Sequence, residues 1–303
     1  MVWFIKNMRI QAVNNNFNPL TRNLFCFTGK DLLNMPRDEV FNEIKNSINE
    51  DQFIGSGRHA KVYKIADTPY CVRIPYICED AYTNDFSRNL KPCDTVNHVK
   101  IKLGAGASVM DYFKGKTLFA YQLYDAPRYE LQKEIAQMPL KTYSKLLHQL
   151  ANAIDNEMTF DKGGGNIVID TENKNLTIID FYQLSDNPNP TSPLRDLFYT
   201  LTSYGAENKT AKKIAHNIIL AGLEEFKPYI IPCMNTELFD FKEIIDAAYY
   251  LKHTKPDKKA DNLIKNFENL KGIKKKEITD KKYSPILEQK IDDIKKTVSE
   301  YLQ

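Results

Sequence analysis

The sequence predicts an α+β chain, a small β-rich lobe followed by a larger helical one, and three observations carry the prediction. Short β-branched and aromatic runs separated by Gly and Pro fill residues 53–118. A long amphipathic pattern then runs from Leu140 through Tyr143, Leu146, Leu147, Leu150, Ala151 and Ile154. Beyond Pro193 almost every segment repeats its apolar residues at helical spacing.

Taken in order, residues 1–50 read as a leader with a helical segment. An Asn-rich stretch (Asn14 to Asn18) precedes Pro36-Arg37-Asp38-Glu39, whose acidic first turn leads into Val40, Phe41, Ile44 and Ile48 at helical spacing. Residues 51–118 form the first lobe, with strands expected at 60–65, 70–75, 99–103 and 108–113. Residues 119–205 form the core of the second lobe, in which strands at 167–169 and 176–179 flank the turn from Asp170 to Lys174. Residues 206–303 are a helical extension, with helices expected at 209–227, 238–253, 258–270 and 285–302, after one at 194–204.

Composition narrows the setting. Five cysteines lie scattered, without a C-x-x-C pair, which argues against a disulfide framework or a zinc site and for a reducing compartment. The five histidines show no ligand spacing. No apolar run reaches the ~20 residues of a membrane span, and the first residues are too interrupted for a secretory signal. A net charge of +3 is too small to argue for a nucleic-acid partner. Residues 252–303 hold 14 Lys against nine Asp plus Glu, read as a solvated helical face or a surface for acidic protein, anionic lipid or RNA.

The chemistry sits mid-chain. Asp161 is followed five residues later by Asn166, and a second apolar run ends at Asp180. Phosphoryl transfer from ATP needs such a set: one carboxylate orients the attacking hydroxyl, while an amide oxygen and another carboxylate hold Mg²⁺ against the phosphates. Three glycines, Gly163 to Gly165, open the loop between them. The alternative is that Asp161 and Asn166 cap a loop and Asp180 merely ends a strand.

Upstream, Gly55-Ser56-Gly57-Arg58-His59-Ala60-Lys61-Val62 fits the kinase form G-x-G-x-x-G-x-V, with Ala60 in the third glycine's place. Gly55 and Gly57 would admit phosphate oxygens to backbone amides and Val62 would pack on adenine; a plain hairpin turn is the alternative. Tyr70-Cys71-Val72-Arg73 occupies the V-A-I-K slot, so Arg73 stands where a lysine would clamp the ATP phosphates. Glu79 or Asp85 would supply its carboxylate partner, and Lys61 or Lys64 is an alternative cation, although Lys61 should face away from Val62. The segment from Val109 and Met110 to Leu118 suits the adenine-binding hinge, or else an edge strand and turn. Asp196, in the first turn of a helix, would anchor the Asp161 loop or simply favour the helix dipole. Only fifteen residues separate Asp180 from Asp196, which leaves no room for a full activation segment.

These residues make residues 53–204 resemble a bilobal protein-kinase-like fold, in particular the atypical bacterial effector kinases of the OspG and NleH group. The group is similar in its shortened activation region and in a loop without His-Arg before the Asp, here Thr159-Phe160-Asp161. Leu20-Thr21-Arg22-Asn23-Leu24 also resembles a leader element of the NleH type. The resemblance implies an ATP- and Mg²⁺-dependent Ser/Thr kinase, secreted into the cytoplasm of a host cell, that acts on a host protein. Ubiquitin or a ubiquitin-charged conjugating enzyme is the implied partner. Two other readings stay open: a small-molecule or lipid kinase of the aminoglycoside or choline kinase type, and a pseudokinase scaffold disabled by Arg73. Apart from secretion, a cytoplasmic location follows from the cysteines.

Overall fold

The structure, a computed structural model, describes residues 11–12, 30–57, 60–76, 99–103, 107–120, 126–155, 158–160, 163–179, 181–183, 193–202, 206–224, 244, 265–266 and 284–302. The chain divides into two compact units, residues 1–113 and 114–303.

The first unit is built on one antiparallel sheet. Its strands are β1 (Gln11–Ala12), β2 (Phe53–Ser56), β3 (Ala60–Lys64), β4 (Tyr70–Pro75), β5 (Val99–Lys102) and β6 (Ser108–Asp111), in the spatial order β1-β5-β6-β4-β3-β2. Helix α1 (Arg37–Ser47) has Asp38 and Glu39 in its first turn and Lys45 in its last, complementing the helix dipole. Its buried Val40 and Ile44 pack with Leu32 against Tyr63, Val72, Ile101 and Val109 of the sheet. Residues 30–48, read from the sequence as part of a leader, therefore supply core to the sheet unit. A two-sided sheet cannot leave so apolar a face in water, and α1 covers it.

The second unit is mainly helical: α2 (Ala126–Ala136), α3 (Leu140–Asp155), α4 (Pro193–Thr202), α5 (Asn208–Glu224) and α6 (Ser284–Leu302). Helix α5 is buried nearly all round, from Thr210 to Leu223, as befits a central helix. Helices α2, α3, α4 and α6 pack against it. The last helix presents Leu287, Ile291, Ile294, Val298 and Leu302, all buried at 3–4 spacing, so it is a packed element of this unit. Each such side chain contributes about 1.5–3 kcal/mol of burial. Two small antiparallel pairs complete the unit: β7 (Met158–Phe160) with β10 (Phe181–Gln183), and β8 (Ile167–Asp170) with β9 (Asn175–Ile178).

Helices 194–204, 209–227 and 285–302 appear within a few residues of the expected bounds, as do the six strands expected at 60–113, 167–169 and 176–179. Those expected at 238–253 and 258–270 lie almost wholly outside the described residues, as do Lys271 to Lys282. Helix α2 was not expected. Its inward face includes Arg128, 2% exposed, and Gln132, which interrupt the apolar periodicity that reveals a helix. The second apolar strand ends at Ile178, one residue short of the expected bound, and a further short strand, which was not expected, begins at Phe181. Among the described residues no helix is long and apolar enough to cross a membrane.

Candidate functional site

In the first unit, cross-strand register gathers the residues singled out for nucleotide. Gly55 lies opposite Val62, Val62 opposite Arg73, and Arg73 opposite Ser108. Directly opposed residues share a face, so these four form one transverse row. Cys71 and Met110 form the next row, again opposite each other. This face is the one that α1 does not cover, because Tyr63, Val72 and Val109 alternate with these residues and point into the core. The sequence placed Gly55, Val62, Arg73 and Met110 in one site, and the pleat puts all four on one surface.

The alternative cations separate cleanly. Lys61 lies opposite Ile74, which packs against the core, so it belongs to the other face. Lys64 shares the face of Cys71, but its Nζ donates to the Thr68 carbonyl at 3.1 Å and lies 4.2 Å from the centre of the Tyr112 ring. Burial pushes its ammonium below its ordinary pKa, against weaker opposition from Cys71 and Asp67. Arg73 is the cation beside Val62. Glu79 and Asp85 lie outside the described residues. A Cβ added at Gly55 or Gly57 would meet no atom within 4 Å, so packing does not require glycine at either position. The Gly57 amide closes the turn onto the Ala60 carbonyl at 2.9 Å; Arg58 and His59 lie outside the described residues.

The segment read as a hinge spans the division between the units. Met110 and Asp111 end β6, where Asp111 pairs with Lys100 at 3.1 Å and its carbonyl accepts from the Cys71 thiol at 3.4 Å. Burial raises that thiol to about 12, with Asp111 adding to the effect. The Tyr112 amide is already bonded to the Pro69 carbonyl at 2.8 Å. In the second unit, Lys116 exchanges both backbone bonds with Ile169, at 3.0 and 2.8 Å. Gly115, with φ +145°, has to be glycine: a Cβ would lie 2.5 Å from the Ile169 carbonyl oxygen.

Asp161, Lys162 and Asp180 lie outside the described residues, whereas Phe160, Gly163, Ile179 and Phe181 beside them are described. Phe160, just before Asp161, is opposite Phe181, just after Asp180, and both rings are buried. Ile179, just before Asp180, donates its amide to the carbonyl of Asn166 at 2.9 Å. The Asn166 amide in turn reaches back to the Gly163 carbonyl at 3.0 Å, closing a turn through the three glycines. Two backbone contacts thus tie the loop around Asp161 to the strand ends around Asp180. The β8–β9 hairpin sets the second of these, since Ile167 opposite Ile178 leaves Asn166 opposite Ile179. Its turn is held by Asp170, which accepts from the Asn173 amide at 3.0 Å and its side-chain Nδ2 at 2.8 Å. Burial pushes the Asp170 pKa up, but the Asn173 bonds and Lys114 outweigh it and leave a net downward shift.

Asp196 is 4% exposed in the first turn of α4. Its Oδ1 lies 3.6 Å from Nε of the neighbouring Arg195, a charge partner of the kind a buried carboxylate needs. Sequence reasoning missed two supports of the loop and its hairpin. Gln149 of α3 accepts the Ile178 amide at 3.2 Å at the end of β9. Phe119, in a 3₁₀ turn (Leu118–Ala120), donates its amide to the Gly164 carbonyl at 3.3 Å.

An antiparallel sheet unit followed by a mainly helical unit with two small antiparallel pairs makes the chain an α+β protein. No family model matches the chain, and no curated protein matches it. Among solved structures it is similar to the pseudokinase domain of BIR2, an immune regulator of the RLK/Pelle family. That likeness has 14% identity and a TM-score of 0.32 over 88% of this chain and 85% of the other. At that TM-score it adds no argument about the site.

Proposed function

We propose that the chain is an ATP- and Mg²⁺-dependent phosphotransferase acting on protein Ser/Thr hydroxyls, without control by an activation segment. The observation that carries this reading is the double tie around the central residues, Phe160 opposite Phe181 and Ile179 bonded to Asn166. Each role is assigned within its own unit. On the sheet, Val62 and Met110 take the adenine, Gly55 and Gly57 leave backbone open to phosphate, and Arg73 grips phosphate oxygens through its planar fork. In the second unit, Asp161 orients the acceptor hydroxyl and takes its proton. Asn166 and Asp180 are oxygen donors suited to a hard cation and would hold Mg²⁺. When bound, that ion neutralises charge on the phosphates.

The proposed setting is a host cell reached by needle-type secretion, with ubiquitin or a ubiquitin-charged conjugating enzyme as partner. It rests on the resemblance of the Thr159-Phe160-Asp161 loop and the short interval from Asp180 to Asp196. One observation favours a second reading, a pseudokinase scaffold: Arg73, not lysine, occupies the row beside Val62. Arginine is longer and planar, and does not substitute simply for an ammonium.

The test is incubation of the pure protein with γ-labelled ATP, Mg²⁺ and a eukaryotic cell lysate. Labelled protein bands that vanish in Asp180→Ala support the proposal. Label confined to small molecules or lipids moves the chain to the aminoglycoside or choline kinase type. No label, with nucleotide still bound, leaves the scaffold.

A further inference from the structure

Phe119 is 61% exposed, yet it is fixed in place. Its amide bonds to the Gly164 carbonyl at 3.3 Å, and its ring atoms Cδ2 and Cγ and its Cβ lie 3.3–3.7 Å from where a Cβ on Gly165 would stand. The preceding Leu118 is 1% exposed and anchors the turn in the core. A large apolar ring is thus held against the glycine loop that leads into Asn166, with most of its surface left to solvent. Other exposed apolar side chains exist, such as Tyr76 and Ile286; single ones are ordinary on any surface. Phe119 differs in that its exposed ring sits on the loop whose residues would present the acceptor.

We propose that Phe119 is a specificity residue for the acceptor, taking an apolar side chain next to the phosphorylated Ser or Thr of a polypeptide. This rests on the function proposed above and narrows its substrate class. A small-molecule acceptor needs a pocket that encloses most of its surface. A ring this open instead suits an extended chain that brings its own apolar side chain to cover it. Gly165 serves the same end, because a side chain there would press into the ring and displace it.

The experiment measures binding, so that it does not depend on catalysis. Two serine-centred peptide pools are titrated against the full chain by fluorescence anisotropy: one with Leu and Phe flanking the serine, one with Gly and Asn. Burial of one apolar side chain on the ring predicts a preference of roughly tenfold for the apolar pool. Phe119→Ala abolishes the preference, whereas Phe119→Leu keeps part of it, and Ile286→Ala, at an equally exposed position elsewhere, leaves it intact. A melting curve unchanged by Phe119→Ala confirms that the fold survives. Equal binding of the two pools, or a preference that persists in Phe119→Ala, overturns the inference. Selective binding without phosphoryl transfer would instead refute the proposed activity and leave the peptide surface standing.

Discussion

Ile179 donates its backbone amide to the backbone carbonyl of Asn166 across 2.9 Å, which ties the residue before Asp180 to one of the two residues assigned to magnesium. The bond follows from the register of a hairpin with two four-residue strands, Ile167 opposite Ile178. A shift of one residue would turn every side chain of the pair to the opposite face.

The Phe160–Phe181 pair is the second tie, and its loss should cost stability and activity together. Truncating a buried Phe to Ala costs about 3–5 kcal/mol. Phe160→Ala and Phe181→Ala should each lower the unfolding free energy by this order, and their double mutant should lose less than the sum. Additive losses in urea unfolding would show that the two rings act independently.

Gly115→Ala tests the backbone crossing at Ile169. The new Cβ would collide with the Ile169 carbonyl oxygen, and φ +145° disfavours any L side chain. Strain of this kind costs about 1–3 kcal/mol before the clash is counted. Gly55→Ala, where no atom lies within 4 Å, should leave the melting temperature nearly unchanged. Equal shifts in a thermal melt would contradict the geometry.

Burial holds the His216 imidazole below its ordinary value, with Asn217 pulling the other way and Lys213 adding to the depression. The ring contacts Asn217 at 3.3 Å and Ser299 of α6 at 3.5 Å. The unfolded chain takes up a proton more readily, so stability from this group is present above pH 6.5 and lost as pH falls below it. His148, depressed by burial, acts in the same direction. Unfolding free energy measured from pH 8 to 5 should fall less steeply in His216→Gln than in the wild type.

Burial and Asp111 push the Cys71 thiol up to about 12, which leaves almost no thiolate near neutrality. Iodoacetamide at pH 8 should label Cys71 only after denaturation, as mass spectrometry of the tryptic peptide would report. Rapid labelling of the folded protein would place Cys71 at the surface.

Much of the fold was legible because its signals are local. The strand at 70–75 shows itself by β-rich residues between turns, and α3 by its leucines. Helix α2 was not legible, since Arg128 and Gln132 face inward where periodicity looks for apolar residues. Nor was the packing of residues 30–48 under the sheet, because a polar leader and a lone helix do not announce which surface they cover. For the site, the sequence named Gly55, Val62, Arg73 and Met110, but only register shows that they share a face. Phe119 and Gln149 escaped because one bonds to the loop and the other to the hairpin strand from a separate part of the chain, across spacings no motif encodes.

The most direct measurement is the rate of γ-phosphoryl transfer from labelled ATP at saturating Mg²⁺, compared between the wild type and Asp180→Ala. The account predicts transfer to a protein hydroxyl by the wild type and a fall of at least about a thousandfold in the variant. Transfer at the same rate in both proteins, or none in the wild type or in Arg73→Lys, would contradict it.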